Sequence, residues 1–296
     1  MEKLEGVIVP IVSPLKEDES IDEEGVEQLV NYSIDNGVTA ILVLGTTGEF
    51  PVLTSANRRR IIELTLNKVN GRVPVLVGTG STGTKRAIEN TREAAKMGAQ
   101  ATLLSPPYFY EMTQRDILAH YLEVLEQVDI PIMVYNVPFH PELEVKPETV
   151  RQLLEHPNIV GIKDSSGDFS NFLEILELKN VRGDFTVFQG IEPQLTVSIL
   201  YGSDGIIAGS VNLVPDLIVR LYTHAKRGEM TQAMQSQRRL NSLGEIYQVG
   251  YWLSGLKTSL ELKGLCSAYI GKPFPPLDHN QREKIREILV ENGIIP

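Results

Sequence analysis

Residues 159–166 read IVGIKDSS, an apolar and β-branched run that ends in a lysine, an aspartate and two serines. Runs of the same kind recur along the chain. Each is followed by one stretch with helical periodicity, except the last, which is followed by several such stretches. The eight runs cover residues 6–14, 40–46, 74–80, 101–107, 131–138, 159–166, 185–190 and 204–211. They are apolar on both faces, which is typical of parallel strands covered by helices on one side and by a barrel core on the other.

The segments between the runs have the features of amphipathic helices. Residues 21–37, IDEEGVEQLVNYSIDNG, have acids in the first turn, apolar residues three and four positions apart, and a closing Gly37. Strict alternation of strand and helix requires parallel pairing with right-handed crossovers. Eight such units predict an α/β fold, the closed (β/α)8 TIM barrel. An open, doubly wound sheet of eight strands is the structural alternative.

The pattern changes after the eighth run, because residues 215 to about 294 have helical periodicity only. No linker rich in Gly, Ser or Pro separates this part of the chain from the rest. We therefore predict a barrel over residues 1–214 and additional C-terminal helices over residues 215–296, packed on the barrel as part of the same structural unit. The chain of 296 residues is long enough for one such barrel, which typically has roughly 250 residues.

Composition and charge narrow the classes of function. A net charge of -10 leaves no basic surface for nucleic acid or for anionic membranes, so we expect neither as a partner. No apolar run reaches the length of a membrane span and no cationic leader precedes one, which predicts a cytoplasmic protein. The single cysteine, Cys266, excludes an intrachain disulfide, and the five histidines lie far apart, which predicts no metal site.

Lys163 lies at the C-terminal end of its predicted strand, the end at which barrels of this type carry their active sites. Alternation along the strand predicts that Ile159, Gly161 and Lys163 share one face and that Asp164 points away. Burial in an apolar barrel mouth disfavours the charged form of an amine, and the neutral amine is a nucleophile for a carbonyl carbon. The alternative is a lysine that reaches solvent or pairs with Asp164 or Asp168.

Two further segments bring polar side chains to the same end of the predicted barrel. Tyr135, in YNVP, precedes Lys163 by 28 residues, which is one strand-helix-strand repeat, and a phenol at this place can transfer protons. GTTGEF, residues 45–50, follows the second run, and its backbone N–H groups and the hydroxyls of Thr46 and Thr47 suit a carboxylate. Taken alone, Tyr135 is more typical of a core aromatic with a satisfied hydroxyl, and GTTGEF has the composition of a common turn.

Together, GTTGE, YNVP and GIKDSSGD resemble the class I pyruvate lyases that include dihydrodipicolinate synthase and N-acetylneuraminate lyase. The resemblance covers nearly the whole chain and implies a homotetramer with no metal or organic cofactor. It implies that Lys163 forms a Schiff base with pyruvate or another 2-oxo acid and that Tyr135 shuttles protons. Thr46 and Thr47 would hold the substrate carboxylate and relay protons. Further residues that the resemblance places in the site, through backbone atoms, are Gly190 and Ile207.

Two positions depart from the family pattern. The synthases have an arginine two positions after the YNVP proline, where it holds the carboxylate of the aldehyde substrate, and this chain has His140. A neutral histidine cannot reproduce a bidentate guanidinium contact, so we expect His140 and Ser165 to bond substrate hydroxyls instead. In SPPYFYEM, many relatives have a tyrosine that enters the site of a neighbouring subunit. A gapless match puts Phe109 there, and a shift of one residue would bring either Tyr108 or Tyr110 into the role; of the two we predict Tyr110.

Other segments favour an aldolase branch of the family. GEFPVLTS and HPNIVGIKDSSGD resemble aldolases that act on 4-hydroxy-2-oxoglutarate or on 2-oxo-3-deoxy sugar acids. N-acetylneuraminate lyases have an acidic pair after the seventh-strand glycine, whereas here only Glu192 is present. We therefore predict reversible cleavage of a 4-hydroxy-2-oxo acid to pyruvate and an aldehyde. The alternatives are a dihydrodipicolinate synthase that condenses pyruvate with aspartate semialdehyde, and a non-catalytic protein that binds 2-oxo acids.

GTGSTG, residues 78–83, offers a competing interpretation. Its glycines match G-x-G-x-x-G, follow an apolar run and open a helix, as in dinucleotide-binding folds. The acid expected at the end of the next strand is absent, because ATLLSPP ends in a serine and two prolines. We therefore predict a tight barrel turn at these glycines rather than a nucleotide site.

Overall fold

Eight parallel strands form a closed barrel in a computed structural model, which describes residues 3–138 and 143–296. Each strand pairs with the next in sequence, and the last pairs with the first. The strands are β1 (Gly6–Pro10), β2 (Ala40–Val43), β3 (Val75–Gly78), β4 (Ala101–Leu104), β5 (Ile132–Asn136), β6 (Ile159–Asp164), β7 (Thr186–Gln189) and β8 (Gly205–Ile207). The predicted (β/α)8 barrel is confirmed, and the open doubly wound sheet is excluded.

Helices follow the strands in turn and continue after the eighth. They are α1 (Glu23–Asp35), α2 (Ser55–Val69), α3 (Thr84–Met97), α4 (Gln114–Gln127), α5 (Pro147–Leu153), α6 (Phe169–Glu177), α7 (Leu195–Leu200), α8 (Pro215–Lys226), α9 (Met230–Leu243), α10 (Trp252–Leu262) and α11 (His279–Glu291). Local signals set several of their starts: capping boxes at Thr113 and Asp278 begin α4 and α11, and the Asp168 side chain caps α6.

The additional C-terminal helices are present, as predicted from the helical pattern. Helix α8 contacts β1 and α7, and α9 packs in turn on α8. The division of the chain at residue 214 into a barrel and packed helices stays a prediction. Among the helices of the described residues, none combines the length and the apolar character that a membrane span requires.

Apolar side chains fill two layers, which explains why the strands are apolar on both faces. The layer inside the barrel contains residues from nearly every strand, including Ile8, Leu42, Leu76, Leu103, Met133 and Phe188. The layer between strands and helices is larger and is split into two clusters. Since full burial of a large apolar side chain contributes roughly 1.5–3 kcal/mol, both layers support the closed barrel.

Strand β6 departs from simple alternation at its first residues. Ile159 pairs with Ile132 and Gly161 pairs with Met133, so the register shifts by one residue between these pairs. Val160 is the extra residue of this irregularity. As a result Ile159 packs among the outward-facing residues, and the prediction that it shares a face with Lys163 is wrong. Beyond the shift, the pairing is regular to the end of the strand.

The glycines of GTGSTG serve the packing of the barrel. A Cβ at Gly78 would lie 1.9 Å from the carbonyl oxygen of Leu44, and one at Gly80 would lie 2.3 Å from Ser105 Oγ. Leu44, the residue after β2, has a left-handed φ of 60°, which brings its carbonyl against β3. Gly78 thus meets a neighbouring backbone carbonyl and Gly80 a neighbouring side chain, and these close contacts are what a tight barrel turn requires.

Candidate active site

Lys163 lies inside the barrel near its C-terminal end. It is only 5% exposed, and it stands in register with Tyr135 on β5 and with Phe188 on β7. Its Nζ atom is 4.5 Å from the centre of the Tyr135 ring. Because β6 carries it to the point where the inner apolar layer meets the barrel mouth, the side chain is buried while it borders the cavity at the open end of the barrel.

The neighbouring acids are engaged elsewhere. The Asp164 carboxylate accepts hydrogen bonds from Asn136 Nδ2 at 2.6 Å and from Ser166 Oγ at 2.7 Å. Burial raises the pKa of Asp164, and these hydrogen bonds oppose the rise. Asp168 accepts from backbone N–H groups at the start of α6. Within the described residues Lys163 forms no ion pair, so the alternative in which it pairs with Asp164 or Asp168 is not observed.

Tyr135 links the lysine to the turn after β2. Its hydroxyl lies 3.2 Å from Thr46 Oγ1, within hydrogen-bond distance. Thr46 is half-buried, and Thr47 beside it is 7% exposed. Since a hydroxyl both donates and accepts, Thr46 and Tyr135 form a short chain along which a proton can move from the barrel mouth to a group at Lys163.

Gly190, directly after β7, leaves space for the lysine side chain. A Cβ at this position would lie 2.1 Å from Ser165 Oγ and 3.1 Å from Lys163 Cε. The Gly190 N–H donates to the Asp164 carbonyl at 2.7 Å, which holds its backbone against β6. Any side chain at Gly190 would therefore displace either the serine or the lysine.

These residues line one open cavity of about 400 Å³ at the C-terminal end of the barrel. It brings together the predicted residues Thr46, Thr47, Tyr135, Lys163, Ser165, Gly190 and Ile207. Tyr110 is not among them: it is 72% exposed and lies against Phe109 on the surface. Its predicted role in the site of a neighbouring subunit stays a prediction. His140 lies outside the described residues.

The cavity also contains polar residues that the sequence analysis did not assign to it. Glu192 Oε1 accepts from the Ser210 backbone N–H at 2.8 Å and from Tyr247 OH at 3.1 Å, while Oε2 accepts from Ser210 Oγ at 2.6 Å. Burial raises the pKa of the Glu192 carboxyl, and burial together with Glu192 raises the pKa of Tyr247 well above its ordinary value. A second cavity, lined by Glu192 and Tyr247, continues from this cluster toward α9.

The C-terminal segment closes one wall of the cavity. Tyr247, which lies between α9 and α10, and Trp252, the first residue of α10, both line it. Nothing in the local sequence indicates that these two residues face a lysine about 85 positions earlier. Only the packing of the C-terminal helices over the barrel end brings them there.

A smaller apolar cavity of about 100 Å³ adjoins the first and shares Thr46 and Tyr135 with it. Tyr108 lines this cavity, with its ring packed edge-on against Phe50 at 5.7 Å. Burial raises the pKa of the Tyr108 phenol. Of the three aromatic residues in SPPYFYEM, Tyr108 is thus the one that lines a cavity adjoining the site of its own chain.

Within the part of the chain that the structure describes, no group of three or more His, Cys, Asp or Glu side chains could hold a metal ion. The donor atoms around Lys163 are instead hydroxyls, backbone groups and the Glu192 carboxyl. These groups suit an organic acid with polar substituents.

The sequence of this chain is similar to that of a known protein family. Residues 3–292 match the model of the dihydrodipicolinate synthetase family. The chain is 36% identical to a 4-hydroxy-tetrahydrodipicolinate synthase of Geotalea uraniireducens, and the match covers 98% of this chain and 99% of that one.

Solved structures give the same result. The dihydrodipicolinate synthase of Thermotoga maritima superimposes with a TM-score of 0.95 at 32% identity, covering 99% of this chain and 100% of that one. YagE, a prophage protein of the dihydrodipicolinic acid synthase family from E. coli K12 in complex with pyruvate, also reaches 0.95, at 27% identity and 99% coverage of both chains.

Proposed function

This chain belongs to the dihydrodipicolinate synthetase family and is a pyruvate-dependent class I lyase, and we propose that it reversibly cleaves a 4-hydroxy-2-oxo acid to pyruvate and an aldehyde. One observation carries the proposal: a buried lysine that stands beside Tyr135, whose hydroxyl reaches Thr46. The 2-oxo acid is supported by the relative YagE, which is described in complex with pyruvate.

The first stage forms an imine. The Lys163 amine adds to the C2 carbonyl of the 2-oxo acid, whose carboxylate lies against Thr46 and Thr47. Tyr135 moves a proton from the attacking nitrogen to the carbinolamine oxygen and then donates its own proton to the departing hydroxyl, which leaves as water, so that a protonated imine and the Tyr135 phenolate remain. The Tyr135 hydroxyl contacts Thr46, and this hydrogen-bonded chain stabilises the phenolate until the next step returns a proton to it. A non-catalytic binding protein has no need for this chain.

The second stage breaks the carbon–carbon bond. The protonated imine withdraws electrons, so the C3–C4 bond breaks, the C4 hydroxyl loses its proton to Tyr135, and the aldehyde departs. The remaining enamine takes this proton back from Tyr135 at C3 and becomes the protonated imine of pyruvate. Addition of water, equal to the one released earlier, then frees pyruvate and the lysine. Condensation follows the same steps in reverse.

The cleavage of a hydroxylated substrate is supported by the Glu192 cluster. Each carboxylate oxygen can accept two hydrogen bonds, and Oε2 accepts only from Ser210 Oγ among the described residues. Oε2 can therefore accept one more hydrogen bond, from a substrate hydroxyl in the same cavity as Lys163. We place the hydroxylated end of the substrate here. Ser165 and His140 are proposed as further hydroxyl contacts.

A second candidate function is favoured by the comparisons. The relative from Geotalea uraniireducens is named a 4-hydroxy-tetrahydrodipicolinate synthase, and the imine stage of that reaction is the same. The two candidates differ in the aldehyde partner, which for the synthase is aspartate semialdehyde. His140 stands where the synthases have an arginine, and this supports cleavage as our first choice.

A substrate panel tests the proposal. Purified enzyme would be given 4-hydroxy-2-oxoglutarate and a set of 2-oxo-3-deoxy sugar acids, with pyruvate release followed by a coupled assay. In parallel, pyruvate would be offered with aspartate semialdehyde. We expect the highest kcat/KM for one of the cleavage substrates. A kcat/KM for aspartate semialdehyde well above all of them would establish the synthase instead, and no turnover in either assay would favour a binding protein.

The remaining expectations from the sequence belong to the same proposal. We propose that the enzyme works as a homotetramer in the cytoplasm, without a metal or organic cofactor, and with Tyr110 completing the site of a neighbouring subunit. Solution mass measured at assay concentration tests the tetramer, and a fully active monomer would contradict it.

A further inference from the structure

Glu49 and Lys257 form a buried ion pair beside the turn that carries the two threonines. Lys257 Nζ lies 2.7 Å from Glu49 Oε1 and also donates to the Ser13 carbonyl at 2.9 Å. Both charged side chains are fully buried. The other carboxylate oxygen, Oε2, accepts from the backbone N–H of Gly271 at 2.7 Å. Glu49 is therefore fixed by two separate parts of the C-terminal segment.

Such a pair is sensitive to the loss of either member. Taking two charges out of water is costly, and removing one partner leaves the other charge buried without compensation. Lys257 lies on α10, 208 residues after Glu49. The pair thus joins the last part of the chain to the loop after the second strand.

The turn itself has a backbone that needs external support. Leu44 and Glu49, which flank it, both have a φ of 60°, in the left-handed region that is unfavourable for residues with a Cβ. Such conformations persist where the surrounding structure determines them. The Glu49 N–H donates to the Thr46 carbonyl at 3.1 Å, and Ser13 Oγ donates to the Gly48 carbonyl at 2.6 Å. The anchored Glu49 is therefore bonded directly to a threonine of the site.

We propose that Glu49 and Lys257 are positioning residues, through which helix α10 sets the orientation of Thr46 and Thr47 toward the substrate carboxylate. The inference rests on the proposed imine chemistry, in which these threonines hold that carboxylate. The same helix contacts the cavity directly through Trp252. Helix α10 therefore acts on both sides of the site: it forms one wall and it fixes the turn that forms another.

Two variants test the role, because a purely structural pair would affect stability alone. Glu49→Gln keeps the size of the side chain and removes its charge, and Lys257→Met removes the ammonium. For each, thermal unfolding would be followed by circular dichroism. Borohydride trapping of pyruvate would be measured across pyruvate concentrations, giving a maximal trapping rate and a half-saturating concentration. Lys257→Arg, which keeps the charge, serves as the conservative variant, and it replaces Lys257→Met if that protein does not fold.

Asp204 provides a matched control at the opposite end of the barrel. It precedes β8, is 4% exposed, and forms ion pairs with Lys3 at 3.1 Å and Lys179 at 2.9 Å. Asp204→Asn should lower the unfolding temperature, as the loss of a buried ion pair generally does. It should leave pyruvate trapping at the wild-type level, because no part of this cluster borders the cavity.

For Glu49→Gln we expect the half-saturating pyruvate concentration to rise roughly tenfold or more, with the maximal trapping rate changed by no more than about threefold. Lys257→Met should match it, and Lys257→Arg should recover part of the loss. The inference is overturned if these variants lose stability like Asp204→Asn but keep the wild-type half-saturating concentration. If the wild-type enzyme itself traps no pyruvate, the proposed function fails first and removes the premise.

Discussion

Tyr135 and Lys163 occupy the same register position on neighbouring strands, and the lysine amine lies 4.5 Å from the centre of the tyrosine ring. Parallel pairing of β5 with β6 fixes this relationship, so it does not depend on a flexible loop. The amine lies over the ring, and the ring's hydroxyl is 3.2 Å from Thr46 Oγ1. The proposed nucleophile, the proposed proton-transfer group and the turn proposed to bind the carboxylate are therefore arranged in a fixed order.

Borohydride should trap a pyruvate adduct on Lys163, because only an imine is reduced to a stable amine under these conditions. Lys163→Ala should abolish both trapping and turnover without unfolding the barrel. Peptide mass mapping of the reduced protein identifies the modified residue. Lys226→Ala, a change at an exposed lysine on α8, should behave as the wild type. An adduct on any other lysine would contradict the assignment.

Tyr135→Phe should keep imine formation but slow it by on the order of 10²-fold or more, as is usual for the loss of an acid-base group. Thr46→Val should also slow it, and the double variant should be little slower than Tyr135→Phe alone, because both act through one proton path. Single-turnover trapping rates measure all three. Tyr201→Phe, at an exposed position, is the control. Fully additive losses would argue against a shared path.

Gly190→Ala should impair imine formation strongly, since its methyl group would lie 2.1 Å from Ser165 Oγ and 3.1 Å from Lys163 Cε. Adding Ser165→Ala should restore part of the trapping rate by removing the closest contact. Gly183→Ala is a matched control, because a Cβ there meets nothing within 4 Å. Wild-type trapping by Gly190→Ala would show that the lysine does not need this space.

Stability should fall in mild acid because of His120, which is 2% exposed and whose Nδ1 lies 2.9 Å from Thr84 Oγ1. Burial lowers the pKa of His120 to about 4, so the folded protein disfavours a proton that the unfolded chain takes up near pH 6.5. Stability is therefore lost as the pH falls through this window, by about 2 kcal/mol between about pH 7 and pH 5.

Urea unfolding of wild type and His120→Gln at both pH values checks this. The variant should be less stable at neutral pH but should lose less on acidification. His156→Gln, at a histidine whose Nδ1 accepts only a local backbone N–H, is the control. An equal loss in all three proteins would assign the acid sensitivity to other groups.

His140→Arg should raise the condensation of pyruvate with aspartate semialdehyde. A charge-assisted contact to a carboxylate typically contributes about 1.5–3 kcal/mol, which corresponds to roughly 10- to 150-fold in kcat/KM. His279→Arg adds the same charge at an exposed position far along the chain and should have no such effect. If His140→Arg leaves the condensation rate unchanged, residue 140 does not contact the aldehyde substrate.

The barrel and the core of the site could be predicted from sequence because their signals are local. Each strand is an apolar run, and Lys163, Tyr135 and Thr46 each lie in the last part of such a run, at the end of the barrel where active sites occur. The family resemblance that these motifs carry is confirmed by the match over residues 3–292. Their mutual contacts then follow from the closed barrel alone.

The residues that escaped prediction depend on contacts between distant segments. The sequence shows Glu192 only as a single acid after the seventh strand. Its hydrogen-bond partner Tyr247 comes from the C-terminal part of the chain, so their contact has no local signal. Trp252 has no local signal that places it over the barrel mouth. The outward position of Ile159 results from a register shift that involves β5 as well as β6. Sequence periodicity describes one element at a time and cannot supply these relations.

The cavity wall formed by Tyr247 and Trp252 belongs to a different part of the chain from the strands that carry Lys163 and Tyr135. The strands and the turn after β2 hold the groups that we propose to make and break the imine, so changes there are expected to remove that chemistry. Tyr247 and Trp252, in the C-terminal part of the chain, border the same space and are not among the groups that we propose to form the imine. Substitutions around residues 244–252 can therefore change which molecule fits beside the lysine while the reactive groups remain intact. In this way, descendants of one catalyst can come to use different substrates through changes in a single segment.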